Sequence, residues 1–204
     1  MDVPDANVFA MGEWIEVNIE PVGEARTTLL LDVVEPLVHE QLADEIETWF
    51  YFWEPELRLR LRWRDPQRED ENRAALARIL DAARADGKLV EWYEGNHGSR
   101  DGPYEGEADF YGAEVWELVA RDWMSGSELA LAIQRADAGG ALTKPPSFHW
   151  ARRVHLFSNQ LLLDEVPLCL VQARGYLRMR GATDRAAKRV MSAIERFLAA
   201  REQA

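Results

Sequence analysis

A chain of 204 residues with 47% hydrophobic content and eight tryptophans can bury a sizeable core, as one large domain or two small ones. Its formal charge of −12 argues against general affinity for phosphate backbones, which rewards a basic surface. No stretch approaches the roughly 20 consecutive apolar residues of a membrane span, and the N-terminal MDVPDANVFAMGEW has neither the basic nor the apolar region of a signal peptide, so the expected location is the cytoplasm.

In chain order, the alternation in WIEVNI (14–19) predicts a strand, followed by a helix over about 26–43 with a kink or restart at Pro36. The aromatic run at 49–53 and the alternating LRLRLRW at 57–63 read as two strands joined by the turn Glu54-Pro55-Glu56. Pro66 opens the next helix, which Gly87 ends, and the run 89–93 is another strand. The order is β-α-β-β-α-β, the plan of a ferredoxin-like sheet. GNHGSRDGP (95–103) is a loop rich in turn formers. Beyond Gly112 the periodicity predicts helices at about 113–123, 125–137, 148–162, 165–180 and 183–201, with Val190, Ile194, Phe197 and Leu198 on one stripe of the last. The expected fold is therefore α+β. A sheet-containing half (14–94) and a mainly helical half (113–201) make a single domain over 1–204.

Side chains alternate along a strand, so Arg58, Arg60 and Arg62 share one face of the strand at 57–63. The row is either salt-bridged internally or kept for a ligand's carboxylates or peptide carbonyls. The neighbouring strand is apolar on both faces, which predicts a sheet covered on both sides and places the row in a cleft under the helical half. A sheet with arginines and aromatics is also the plan of an RNA-recognition module, but the aromatic strand signature of those modules is absent and the net charge is wrong. The single cysteine, Cys169, lies in the apolar run VPLCLV and reads as core; it leaves no internal disulfide and no cysteine-based zinc site. His149 and His155 are six apart, off the spacing of a helical metal pair, and His39 and His97 have no companions in sequence. Neither a metal nor a cofactor is expected. Asp122 and Ser125 read as a cap for the helix at 125–137.

Four segments follow one another in order. LLLDVVEPLVHEQLADEIETWFYFWEPELRLRLRW is followed by YEGEADFYGA at 104–113, RDWMS at 121–125 and HLFSNQL at 155–161. Together they resemble the thiopeptide-type bacteriocin biosynthesis domain, the C-terminal elimination domain of lantibiotic dehydratases, whose relatives include the pyridine-forming [4+2] cyclases of thiopeptides. The resemblance covers roughly residues 14–180. It implies a maturation enzyme for a ribosomally made peptide, with His155, Tyr104, Glu107 and Tyr111 as catalytic residues and Arg58, Arg60, Arg62 and Asn159 binding the substrate. Phe110 and Trp53 stand where many members carry arginines. These two substitutions favour formal [4+2] cycloaddition of dehydroalanines, with later loss of water and leader peptide, over elimination of glutamate from glutamylated Ser or Thr. A non-catalytic partner that presents the peptide is the third reading. The implied partner is the precursor peptide, with room for a glutamylating dehydratase and for a homodimer, and without nucleic acid or membrane. If His155 moves a proton in the reaction, His155→Ala slows turnover by about 10²–10⁴-fold while the thermal melting curve stays in place.

Overall fold

Period-two patterning builds the sheet, as the alternation requires. The computed structural model describes residues 14–146 together with 148, 149, 152, 153 and 192. Strand β1 (Trp14–Pro21) leads into α1 (Arg26–Leu29), which continues through wider, π-helical stretches at Leu30–Val34 and Leu37–Gln41. Strands β2 (Ile46–Trp53) and β3 (Leu57–Trp63) form a hairpin, and α2 (Glu69–Ala85) returns to β4 (Leu89–Gly95). The short α3 (Ala108–Tyr111) and the long α4 (Ala113–Ala138) follow. The chain divides into two compact units, Met1–Arg135 and Ala136–Ala204. The sheet and α4 as far as Arg135 belong to the first.

The strand order is β2-β3-β1-β4, and every neighbouring pair is antiparallel. Each helical crossover thus joins two strands that have a third between them, which is the ferredoxin-like arrangement and makes the fold α+β. One face carries Ile15, Val17 and Ile19 of β1 with Leu57, Leu59, Leu61 and Trp63 of β3. These pack on Leu29, Val34 and Leu37 from the first helical segment and on Leu76 and Leu80 from α2. All of them are buried, so this layer is the main apolar core.

Two helix boundaries differ from the expected ones for physical reasons. Pro36 does not restart its helix, which runs on without a break. It has no N–H to give, and the wider turns on either side close hydrogen bonds over five residues, from Glu35 N–H to the Leu30 carbonyl and from Leu42 N–H to the Leu37 carbonyl. The helices expected at 113–123 and 125–137 are one helix, so Asp122 and Ser125 lie inside α4 and cap nothing. Packing carries α4 through Gly126, at a local cost of about 1 kcal/mol. Trp116 and Trp123 pack over one face of the sheet, while Met124 and Leu131 reach the core on the other. Between them, Ser127 Oγ accepts the backbone N–H of Tyr51 at 3.2 Å, so α4 crosses and closes the edge strand β2.

The start and stop of α2 follow the sequence signals. Asp65 accepts the Gln67 N–H at 2.9 Å ahead of a 3₁₀ turn at Pro66–Arg68, and Gly87 ends the helix at φ 71°. The expected helix at 165–180, most of those at 148–162 and 183–201, and Cys169 lie outside the described residues. No helix among the described residues is long and apolar enough to cross a membrane.

Leu61 is fully buried beneath both helices, so Leu61→Ala should lower the unfolding free energy by about 2–5 kcal/mol. Urea denaturation of the purified protein would read the loss as a lower transition midpoint.

Candidate functional site

The second face of the sheet is polar at its centre and aromatic around it. Register sets three rows of side chains across the strands: Thr48, Arg62 and Trp14; then Phe50, Arg60, Glu16 and Gly95; then Phe52, Arg58, Asn18 and Tyr93. Tyr104, Trp116, Ala120 and Trp123 lie over these rows, so the arginine row is roofed as the two-faced apolar strand predicts. Arg60 and Arg62 are each only 3% exposed.

Buried guanidinium groups need acceptors, and each of these has them. Arg60 Nε donates to Glu16 Oε2 at 2.8 Å, Nη1 to Glu107 Oε1 at 2.7 Å, and Nη2 meets His97 Nδ1 at 3.1 Å. Its plane lies 4.3 Å from the centre of the Tyr104 ring, an arrangement that the electron-rich ring face favours. Arg62 is bound through both terminal nitrogens to Glu117 and pairs with Glu47 at 3.0 Å, with its guanidinium 5.3 Å from the Trp14 ring. Burial works against its charge, but Glu117 and Glu47 outweigh burial and hold the group more firmly protonated than usual. Arg58 pairs with Glu54 at 3.1 Å and donates to the Glu54 carbonyl.

Glu16, itself 1% exposed, is held by donors on every side. Oε2 takes the Arg60 bond, and Oε1 accepts from Asn18 Nδ2 at 3.2 Å and from the Gly98 N–H at 2.8 Å. That last bond ties the site to the hairpin after β4. Asn96 and Ser99 exchange backbone hydrogen bonds at 2.8 and 2.9 Å around the two-residue turn His97-Gly98. Both turn residues have positive φ, 50° and 79°, as the tight turn type compatible with strand twist demands. The hairpin folds so closely over Gly95 that a Cβ there would lie 2.0 Å from the Ser99 carbonyl oxygen. The result presents His97, an exposed side chain, at the rim of the buried cluster, edge-on to Tyr104 with 5.6 Å between ring centres.

Of the sequence-predicted residues, Arg60, Tyr104 and Glu107 come together, and the Tyr104 hydroxyl donates to Glu107 Oε1 at 3.4 Å. Burial raises the Tyr104 pKa above the ordinary phenol value, with the Arg60 charge only partly opposing it, so the group is a neutral donor across the physiological range. Tyr111 is half-buried and stacks on Trp116 with 6.2 Å between ring centres; burial raises its pKa too. Arg58 and Arg62 flank Arg60 with their own carboxylates. His155 and Asn159 lie outside the described residues. Trp53 and Phe110, the two positions lacking arginine, are not in the cluster. Trp53 packs against the helix-side core under Arg26, and Phe110 is 81% exposed. His97, without companions in sequence, has two in space. Its only sequence signal is its place between Asn96 and Gly98 in a turn directly after a strand. Among the described residues no group of three His, Cys, Asp or Glu side chains is placed to hold a metal ion.

Arg60→Ala would leave the Glu16 carboxylate buried without its counter-charge and without one of its three donors, so the variant should lose about 3–5 kcal/mol of stability. A calorimetric scan that finds the variant melting with the parent would show that the Glu16–Arg60 pair is not structural.

The family model described as "Lantibiotic biosynthesis dehydratase C-term" matches residues 14–203. No curated protein matches the chain. Among solved structures, the tRNA-dependent lantibiotic dehydratase MibB from Microbispora sp. 107891 is similar at 19% identity with a TM-score of 0.49, over 68% of this chain. The chain spans about 13% of that enzyme's length. With the family model covering nearly all of it, the chain belongs to the lantibiotic biosynthesis dehydratase C-terminal family.

Proposed function

We propose that the protein matures a dehydrated, ribosomally made peptide by a formal [4+2] cycloaddition of two dehydroalanines, giving a six-membered nitrogen heterocycle. Membership of the family supports a role in the biosynthesis of such peptides. The observation that favours cyclisation is the charge of the sheet face. Three guanidinium groups, Arg58, Arg60 and Arg62, face five carboxylates, those of Glu16, Glu47, Glu54, Glu107 and Glu117.

Elimination of glutamate needs a cation to take the departing carboxylate and a base for the α-proton. On this face each arginine is already matched by carboxylates, and the excess of negative charge would repel a glutamate leaving group. Cycloaddition has different needs. One amide must shift to its iminol tautomer, whose C=N joins the adjacent alkene as an azadiene. One carbon–carbon bond then links the two alkene methylenes, and the other links the iminol carbon to the α-carbon of the second dehydroalanine. Afterwards the iminol hydroxyl leaves as water with an added proton and the leader leaves as its amide. Neutral hydrogen-bond donors and acceptors serve these steps, and the neutral Tyr104 hydroxyl beside Glu107 is of that kind. Arg58, Arg60 and Arg62 then act by fixing the carboxylates and the roof. His155 and Asn159 remain expected members of the machinery from the family motif, with the precursor peptide as substrate.

Incubation with a synthetic leader peptide carrying two dehydroalanines should release the leader and yield a core lighter by one water, read by mass spectrometry. A parallel incubation with a glutamyl-serine peptide should leave it unchanged. Glutamate loss from the second peptide alone would replace cyclisation with elimination, and binding of both without conversion would make the protein a presenting partner.

A further inference from the structure

We infer that His97 is a catalytic hydrogen-bond donor, which offers its Nε2–H to an amide carbonyl oxygen of the bound peptide. The inference rests on the cyclisation reading for the step it assists, but on geometry for the group itself.

Arginine can only donate, so the 3.1 Å contact from Arg60 Nη2 to His97 Nδ1 makes Nδ1 the acceptor. The ring proton of the neutral imidazole is therefore on Nε2. Arg60 is itself immobile, held through Nε by Glu16 and through Nη1 by Glu107 under the Tyr104 ring. The tautomer is thus fixed by a buried salt bridge rather than by solvent. With its lone pair already taken by Arg60, the ring is a donor and not a base.

The backbone points the same way. His97 is the one non-glycine residue with positive φ among the described residues, at 50°. Asn or Gly would take that position at less cost, and residues held in such conformations cluster at functional sites. Four further contacts pin the turn. Gly98 N–H donates to Glu16, the Tyr93 hydroxyl donates to the Gly98 carbonyl at 3.0 Å, the Arg58 guanidinium packs where a Gly98 Cβ would be, and Asn96 pairs with Ser99. A histidine that merely filled a loop would need none of this support. The ring is exposed while its anchor is buried, so the polar edge opposite Arg60 is the part of the cluster that a peptide can touch.

A neutral N–H aimed at an amide oxygen stabilises the charge that collects there as the amide shifts toward its iminol form. Among the described residues, Glu16, Glu107, Arg58, Arg60, Tyr93 and Tyr104 are charged and titratable groups beside the His97-Gly98 turn, and His97 is the exposed donor that they support.

Imidazole ¹⁵N–¹H correlation spectra of the full chain test the tautomer without any substrate. The expected spectrum shows the His97 proton on Nε2, and a proton on Nδ1 overturns the inference. Addition of the synthetic dehydroalanine peptide should then shift the Nε2–H signal, and an unmoved signal at saturating peptide also overturns it. In turnover, His97→Asn suits the positive φ and so keeps the turn, but shortens the reach; kcat should fall by about 10²–10³-fold, the cost of losing one such donor. His97→Gln keeps an N–H at nearly the original reach and should recover part of that loss with the wild-type pH profile, whereas a base would not be rescued. An Asn variant that turns over normally removes His97 from the reaction. If the wild-type protein returns the peptide unchanged in mass, the cyclisation reading fails, and the tautomer and the peptide-induced shift still decide whether His97 is a donor to bound peptide.

Discussion

The buried guanidinium of Arg60 is the constraint on which the second face of the sheet depends. A cation that is 3% exposed costs several kcal/mol unless its protons are taken up and its charge is balanced. Glu16 lies directly across the strand pair and supplies the first acceptor. That solution creates another demand, because Glu16 is buried too and needs donors for its other oxygen. A backbone N–H that meets it belongs to Gly98, which is available only if the chain after β4 folds back over the sheet. The fold-back in turn requires that Gly95 carry no side chain. One charge on a central strand thus dictates the hairpin that follows a strand two positions away in the sheet.

The aromatic content of this face has the same origin. Trp14, Phe50, Phe52, Tyr104, Trp116 and Trp123 surround the arginine row. An aliphatic roof would remove water from the cations and return nothing, whereas ring faces return part of the lost solvation through their electron density. Edge-to-face contacts of 5.0 Å between Trp123 and both Phe50 and Phe52 then hold the roof in register with the rows beneath. Among the described residues, the buried cluster on the helix-side face is built mainly of Leu, Ile and Val, with Trp49 and Trp63. The two faces therefore differ in composition for a reason that lies in one alternating strand.

How much of this can be read from the chain varies with the range of the interaction. The four strands and α2 are legible because their periods and end signals are local, and LRLRLRW at 57–63 alone separates a leucine face from an arginine face. Glu107 as a partner of Arg60 is legible as chemistry, since a buried cation must find a carboxylate, although the choice among nearby acids is not. The continuity of α4 through Met124, Ser125 and Gly126 is not legible, because what overrides the local breakers is packing around the β2 edge. Nor is the role of His97. In sequence it is a polar residue in a turn-rich loop, and its neighbours Arg60 and Tyr104 are 37 residues before and 7 after it. Only the closure over Gly95 brings them together.

The saturation of the arginines changes what kind of substrate this surface suits. A row of free guanidinium groups would attract carboxylates and phosphates, and its field would extend into solvent. Here each charge is answered within a few ångströms, and more negative groups than positive ones face the centre. What remains to meet a ligand is a neutral, oriented dipole, the exposed imidazole whose tautomer a buried arginine sets, backed by a buried phenol that is kept protonated and bound to Glu107. Such groups discriminate poorly between charged substrates but well between positions of an amide or hydroxyl oxygen, because a misplaced acceptor leaves their protons unpaired. A dehydrated peptide, rich in amides and stripped of its reactive hydroxyls, matches that surface. The buried ion pairs supply rigidity, which keeps the donors aligned before the substrate arrives and spares the reaction the cost of reorienting them.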